Sequence, residues 1–544
     1  MLNASGHSSE HCEISSPNPR NISDRKLQAV NHLPGPRPPF SPLGLPGVLF
    51  PTSWWNTSQD VHWARRSKLY TSNESVSIVP FLIGEPLIWT SNLNVARQIA
   101  SGGNRTGFFK PRWSARALLL WGMNLFAAEG DTWRKHRRVM GPAFNNELYR
   151  LVWTQTMKTY RDMVTSEKWE GKASVSVPVI QELTFKLALL VLGTCAFGFS
   201  FRWDEPPRTS SGNLSIQETI RTVADSYMLR VFAPKWVLRI PLKIIQQSNA
   251  AYEAMALFMK EQVGVRKQEI QENTRKDAFS LLVKANEQEE SKYQLSDDEL
   301  IGNVYIMLFA GHETTAHTLA ATLGFLALNQ DVQDEVFEQI KEVVGYGRDP
   351  EIEDYHNLNK VLAAFFEALR LFPSGHLMIR EASEDTVLQI PNPRGQEGTM
   401  PFMIPKGQVV VVDMVGVQYN PRYYDDPASY KPSRWHGINN DSEDFTAFSV
   451  GPRACIGRKF ATTEAVCFLS MLLRDWKVIP KLNVGETEED WRARVLDAKL
   501  VLTLGVRDVP LIFVPRKSSI GVALKSSYHN RGFGFAAMST VFYY

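Results

Sequence analysis

The sequence has little cysteine: four in 544 residues, at Cys12, Cys195, Cys455 and Cys467. Their spacing includes no C-x-x-C pair and no disulfide framework. A reducing compartment is the expectation, and sequons such as Asn56-Thr57-Ser58 are then expected to go unused. An excess of one charge is missing as well. With 60 Lys and Arg against 57 Asp and Glu, the net charge is +3, so nothing points to a nucleic-acid partner. Residues 1 to 33 are polar and rich in Ser, Asn and His. They hold neither a charged-then-apolar leader pattern nor an apolar run of the about 20 residues that a membrane span takes, and they are expected to be disordered. No Gly/Ser linker or charge block divides the middle of the chain. Length alone suggests several domains, but the expectation here is one domain over residues 34–516. Lys517 to Tyr544 is expected to be a disordered tail. No G-x-G-x-x-G follows a strand-like run, so no flavin or nicotinamide domain is expected.

What is present is apolar and helical. The chain is 44% hydrophobic, ample for a large core. Helical periodicity dominates, and strand-like stretches are short: 75–79, 86–89, 387–390, 409–414 and 500–504. This predicts a mainly α fold with small β-sheets. Leu33 to Phe40 reads as a stiff, proline-rich connector. Leu183 to Phe199 is apolar but interrupted by Lys186, and it reads as a buried core helix. Ser296-Asp297-Asp298-Glu299 opens a long helix centred on Ala310-Gly311-His312-Glu313-Thr314-Thr315. Gly311 in mid-helix costs about 1 kcal/mol against Ala; the expected reason is close approach of a flat cofactor to the backbone. Thr314 can turn its hydroxyl to the carbonyl four residues back or to a ligand. Glu313 beside it can relay protons from water.

Three further stretches carry chemistry. In Gly130 to Arg138, Trp133 and Arg137 are four apart and share a helical face, where an indole N–H and a guanidinium can bind a carboxylate. In Ala363 to Arg370, Glu367 and Arg370 are three apart among Phe365, Phe366 and Leu369, which predicts a buried pair. Arg434 is the candidate third member. Finally, Phe448-Ser449-Val450-Gly451-Pro452-Arg453-Ala454-Cys455-Ile456-Gly457 places a lone thiol in a tight loop before a helical run, Lys459 to Trp476. Gly451 and Gly457 free the backbone for a sharp turn. N–H groups near a helix start favour an anion, so Cys455 is placed to be a thiolate. Arg453 adds a cation and Phe448 an aromatic wall.

This loop matches F-x-x-G-x-R-x-C-x-G at every fixed position and resembles the haem-binding loop of the cytochrome P450 family. The W-x-x-x-R, A-G-x-[DE]-T-[TS] and E-x-x-R motifs of that family follow in order. The resemblance spans roughly Pro34 to Arg516 and looks most like microsomal, fungal members. It implies a single haem-enclosing domain that holds heme b, with Cys455 as the iron ligand. Trp133, Arg137, Gly311, Arg380, Phe448, Arg453 and Gly457 would lie on the cofactor, and Glu313 and Thr314 would form the oxygen-activating pair. Glu367, Arg370 and Arg434 would be structural. His376 is not expected to bind iron.

The implied activity is insertion of one atom of O2 into a small lipophilic substrate, by analogy a terpenoid or other secondary metabolite. Electrons would come from a separate NADPH-cytochrome P450 reductase-type flavoprotein, docking on a basic patch of Arg134, Lys135, Arg138, Arg458 and Lys459. The implied location is the cytoplasmic face of the endoplasmic reticulum membrane, with peripheral contact through the basic, aromatic stretch Tyr227 to Leu242. Two other readings remain: a haem-thiolate isomerase or peroxygenase, and a non-catalytic haem-binding protein.

Overall fold

The computed structural model describes residues 24–516, apart from stretches within 101–106, 199–235, 270–276, 440–443 and 501–502. The expectations for residues 1–23, the tail 517–544 and parts of Tyr227 to Leu242 therefore lie outside the described residues. Six helices frame the site: α1 (Gly130–Met140), α2 (Asn146–Ser166), α3 (Ile180–Phe197), α4 (Asp297–Leu328), α5 (Asn359–Leu371) and α6 (Arg458–Asp475). The core that joins them runs from Trp63 to Phe513.

The long helix α4 is the axis of the fold. Ser296 and Glu299 close a reciprocal capping box at its start, satisfying two N–H groups that would otherwise be orphaned. It is buried nearly all round, as its apolar sequence requires. Helix α3 packs along it; this is the one described helix long and apolar enough to cross a membrane, and 72% of it is buried in the fold. The two helices are close at Gly311, where a Cβ would lie 2.9 Å from Leu192 Cδ2, the end of a flexible side chain on α3.

The strands are short and paired at the periphery. A five-stranded sheet has the order β1-β2-β8-β5-β3, from β1 (Ser75–Ile78), β2 (Leu87–Thr90), β3 (Phe108–Phe109), β5 (Leu377–Ala382) and β8 (Val409–Asp413). Three strands, β4 (Val175–Val177), β12 (Leu511–Pro515) and β9 (Trp476–Pro480), form a second sheet. Two hairpins complete the set: β6 (Thr386–Pro391) with β7 (Thr399–Ile404), and β10 (Ala498–Leu500) with β11 (Leu504–Val506). The fold is mainly α with small sheets.

Three expectations change. Residues 24–33 are not structureless: Asp24–Gln28 is a helical turn, and Val30 and Leu33 are buried. The proline-rich stretch does more than connect. The carbonyls of Pro34, Pro36 and Pro38 accept from the N–H groups of Ser77, Val79 and Phe81; prolines lack a donor but keep an acceptor, so they suit a sheet edge. Leu500 and Leu504 do not share one strand: Leu500 ends β10, Leu504 begins β11, and the two are paired.

The five-stranded sheet also stores a pH dependence. Asp413, at the end of β8, is fully buried; it accepts from Tyr70 Oη at 2.9 Å and from the Gly416 N–H at 2.8 Å. Burial outweighs these bonds and pushes its pKa up to about 7. Between the unfolded carboxylate value and that figure the folded state holds a proton that the unfolded chain has lost, so this residue's contribution to stability falls as pH rises from about 4 to 7. Asp413→Asn should flatten that part of the stability profile, by at most about 4 kcal/mol. Denaturant midpoints measured at pH 5 and pH 8 check it; the same pH difference in both proteins would refute the assignment.

Candidate active site

The thiol loop folds back on itself. Ser449 and Gly451 both take left-handed backbone angles, each with φ of 70°, and the Cys455 N–H donates to the Phe448 carbonyl at 2.9 Å. Gly457 needs no special angle, at φ −85°. A Cβ there would sit 3.9 Å from the Cys455 sulfur, so this glycine leaves the flank of the thiol uncrowded. Cys455 is exposed, yet enough protein surrounds its sulfur that burial raises its pKa. The N–H groups of Gly457 and Arg458 and the charges of Arg137 and Arg458 act in the opposite direction. Cys195 and Cys467 are fully buried and their thiols are pushed well up. Among the described cysteines, Cys455 alone combines access with donors and cations that favour a thiolate.

Helix α4 carries a partly exposed stripe. Along this otherwise buried helix, Ala310 is exposed and Met307, Gly311 and Thr314 are partly so. Their spacing puts them on one stripe. The Thr314 hydroxyl donates to the Ala310 carbonyl at 2.8 Å, the back-bond expected for a mid-helix threonine. Glu313 is turned off that stripe. It is 7% exposed, and its Oε1 accepts from Thr503 Oγ1 at 2.8 Å. The sequence set Glu313 and Thr314 side by side; the helix directs them to different neighbours.

Beside the thiol loop lies a cluster of cations around one carboxylate. Arg453 donates to the Ala128 carbonyl at 2.7 Å, pairs with Glu129 at 2.8 Å, and lies 4.4 Å from the Trp133 ring centre. Arg380, brought in by β5, is buried and donates to the Ile379 carbonyl at 2.8 Å. Burial, opposed by Glu129 and reinforced by Arg453, pushes its pKa down to about 10. Lys110 is the member that the sequence did not reveal. It donates to the Phe126 carbonyl, and burial followed by repulsion from Arg380 lowers its pKa well below the usual value. Lys110, Arg380 and Arg453 thus share Glu129, and the surplus of positive charge fits one or two added carboxylates. Trp133 and Arg137 divide their roles: the indole faces Arg453, while Arg137 interacts with Cys455.

Behind the loop, Glu367 and Arg370 are fully buried and form a fork at 2.8 and 2.9 Å. Arg370 also donates to the carbonyls of Gln418, Pro427 and Ser429, which uses all five of its N–H donors. Arg434 Nε reaches Glu367 at 3.3 Å, as expected, and its other donors hold the Asp425 and Asp426 carbonyls. The sequence missed Trp435, whose Nε1 donates to Glu367 at 2.8 Å; its place directly after Arg434 was the available signal. Phe448 lies 5.8 Å from Phe445, which stacks on Phe366 at 4.0 Å. The aromatic wall therefore links the loop to α5.

His376 and the basic residues expected to form a patch have the following neighbours. His376 is stacked on His62 at 4.9 Å, and burial lowers its pKa to about 4; it packs in a histidine pair on the sheet side. The basic patch is largely compensated. Arg134 pairs with Asp131, Lys135 with Glu299 and Arg138 with Glu289. Arg458 lies 5.4 Å from the Phe448 ring centre, and Lys459 lies 3.6 Å from that of Tyr355. Three of the five charges are thus paired with carboxylates of the chain, while Arg458 and Lys459 lie against aromatic rings.

An exposed cysteine in a loop before a helix, a partly exposed stripe on a long buried helix and a surplus of cations around Glu129 fit an iron porphyrin that carries two carboxylates. Comparison with known proteins agrees. The family profile described as "Cytochrome P450" matches residues 84–502. The chain is 37% identical to cytochrome P450 monooxygenase 124 of Postia placenta, over 76% of this chain and 80% of that protein. It is 27% identical to a cytochrome P450 monooxygenase of Arthrobotrys oligospora, over 76% of this chain and 79% of that protein. The crystal structure of the cytochrome P450DA heme domain superposes with a TM-score of 0.65 at 20% identity, covering 82% of this chain and 91% of that one.

Proposed function

The chain belongs to the cytochrome P450 family, and from that premise we propose that it is a haem-dependent monooxygenase that inserts one atom of O2 into a small lipophilic molecule, a terpenoid or similar secondary metabolite. The observation that carries this reading is the Cys455 loop, an exposed cysteine with the Gly457 and Arg458 N–H groups beside its sulfur. Cys455 is the iron ligand in this reading. Arg380, Arg453 and Lys110, with Trp133 and Arg137, hold the porphyrin carboxylates, and the Ala310–Thr314 stripe forms the opposite wall. Haem supplies the binding and reductive activation of O2. The protein's own part is to keep the sulfur ionised, exclude bulk water and deliver protons. Thr314, with its hydroxyl 2.8 Å from the Ala310 carbonyl, holds a proton where the helix faces the recess. Glu313, buried one residue away, supplies the next proton. Electrons come from a separate NADPH-dependent flavoprotein.

An endoplasmic reticulum membrane location is part of the proposal. It is supported by the exposed large apolar side chains of residues 49–55 and 82–83, among them Leu49, Phe50, Trp54, Leu82 and Ile83. Trp54 is 87% exposed, and an aromatic with one wet side suits a bilayer interface. The fungal character of the reading is supported by the relative at 37% identity from Postia placenta.

The first test is the absorption spectrum of the reduced, carbon monoxide-bound protein, wild type beside Cys455→Ser. Wild type should show a strongly red-shifted Soret band that the serine variant loses, because serine does not supply a thiolate. An unchanged spectrum in the variant would overturn Cys455 as the ligand. Product formation that requires NADPH and a reductase then separates a monooxygenase from an isomerase or a carrier.

A further inference from the structure

The β10–β11 hairpin places one hydroxyl on the carboxyl group of α4 that matters most to the proposed reaction. Thr503 Oγ1 donates to Glu313 Oε1 at 2.8 Å. Both side chains are buried, Thr503 at 9% and Glu313 at 7% exposure. The two residues are 190 positions apart, so tertiary structure alone creates the contact. We propose that Thr503 is a positioning residue: its hydroxyl fixes the rotamer of Glu313 and thereby sets how protons reach the recess lined by Thr314. This rests on the monooxygenase reading above, in which Glu313 delivers protons.

The geometry argues for a purpose beyond packing. The hairpin is seated without help from this bond. Ala498 pairs with Val506 and Leu500 with Leu504, and the Leu504 N–H donates to the Ser374 carbonyl at 3.1 Å. On the α4 side, Gly505 lies against His317, one turn beyond Glu313; a Cβ there would be 2.2 Å from His317 Nδ1. Only glycine allows that approach. Because these contacts hold the backbone, the Thr503 hydroxyl is free to serve the carboxyl. A glutamate has three rotatable side-chain torsions, and one fixed donor removes most of that freedom. Without the donor, the carboxyl is no longer held in this one position beside the Thr314 stripe, and a proton route that starts from it loses its fixed geometry.

A buried hydroxyl on a carboxyl is also a readable device. The hydrogen bond alters the carboxyl vibration of Glu313 whichever protonation state it holds. Thr503→Val keeps the shape of the side chain and removes the donor; Thr503→Ser keeps the donor and removes a methyl group. The experiment uses the haem-loaded protein. The infrared band of Glu313 is identified as the one that Glu313→Gln removes. In Thr503→Val that band should shift, and Thr503→Ser should restore it. In parallel, hydrogen peroxide released per NADPH consumed is measured with a reductase present and no added substrate. Peroxide leaves when O2 gains two electrons and two protons without cleavage of its O–O bond; complete reduction to two waters takes four of each. Loss of proton positioning should raise the peroxide share about two- to tenfold in Thr503→Val, the equilibrium effect of one net hydrogen bond, and Thr503→Ser should return it to the wild-type level. An unmoved band in Thr503→Val overturns the proposal. So does a shifted band with an unchanged peroxide share, since the bond would then be structural only. Failure of the underlying reading shows separately: Glu313→Gln would itself leave the peroxide share at the wild-type value.

Discussion

Glu367→Ala should leave little soluble, haem-loaded protein, and its ligand-free form should unfold at a much lower denaturant concentration than wild type. Glu367 is buried and accepts from Arg370 twice, from the Lys431 N–H at 3.0 Å, from Arg434 at 3.3 Å and from Trp435 Nε1 at 2.8 Å. Removing it strands the Arg370 charge in the core and orphans two N–H groups. Breaking a buried pair in this way costs about 3–5 kcal/mol, a large part of the about 5–15 kcal/mol by which a fold is stable. Arg370→Lys should fail almost as badly. An ammonium has three donors where five are in use, and it has no planar fork for the carboxylate. Urea unfolding of each variant beside wild type, followed by haem content, checks this. A Glu367→Ala protein with normal haem loading and an unshifted midpoint would refute the structural assignment of the network.

Arg380→Met should separate two properties that usually move together. In the ligand-free protein, Arg380 is a buried cation beside Lys110 and Arg453, and one carboxylate, Glu129, is available to all three. Its pKa is already pushed down to about 10, the sign of a charge held at a cost. Removing it relieves repulsion on Lys110 and keeps apolar volume at the position. Ligand-free Arg380→Met should therefore be at least as heat-stable as wild type. The haem-loaded protein should lose its cofactor faster. A charge-assisted hydrogen bond to a carboxylate contributes about 1.5–3 kcal/mol, so transfer of haem to an acceptor protein should accelerate about ten- to hundredfold. Opposite signs in the two measurements are the expected result. Equal haem retention would remove Arg380 from the cofactor site, and a destabilised ligand-free protein would show the charge to be structural.

Much of the site was readable because its chemistry is local in sequence. The thiol, its flanking glycine and the helix start behind it occupy one stretch; what the sequence did not show is the burial that pushes the Cys455 thiol up against the donors and cations favouring a thiolate. Glu367 and Arg370 are one helical turn apart among aromatics, so a buried fork followed from spacing and neighbours. The long helix α4 announced itself through its cap at Ser296 and its apolar run. Residues 24–33 were misjudged because their polar composition hides two apolar anchors, Val30 and Leu33, that only a neighbouring sheet can bury.

By itself, then, the sequence determined the mainly α fold, the cysteine loop before a helix, the long helix that carries Glu313 and Thr314, and the buried fork, since each local feature is set by residues close together in the chain. Tertiary structure decided the rest. It drew Lys110, Glu129, Arg380 and Arg453 from four separate segments into one charge cluster. It neutralised Lys135 and Arg138 through Glu299 and Glu289. It brought Leu192 of α3 against Gly311, and it set Thr503 on Glu313. Periodicity reports which face of an element is apolar, but not which distant side chain will arrive there. Charge pairing, close helix contacts and long-range hydrogen bonds are set only when the chain has packed.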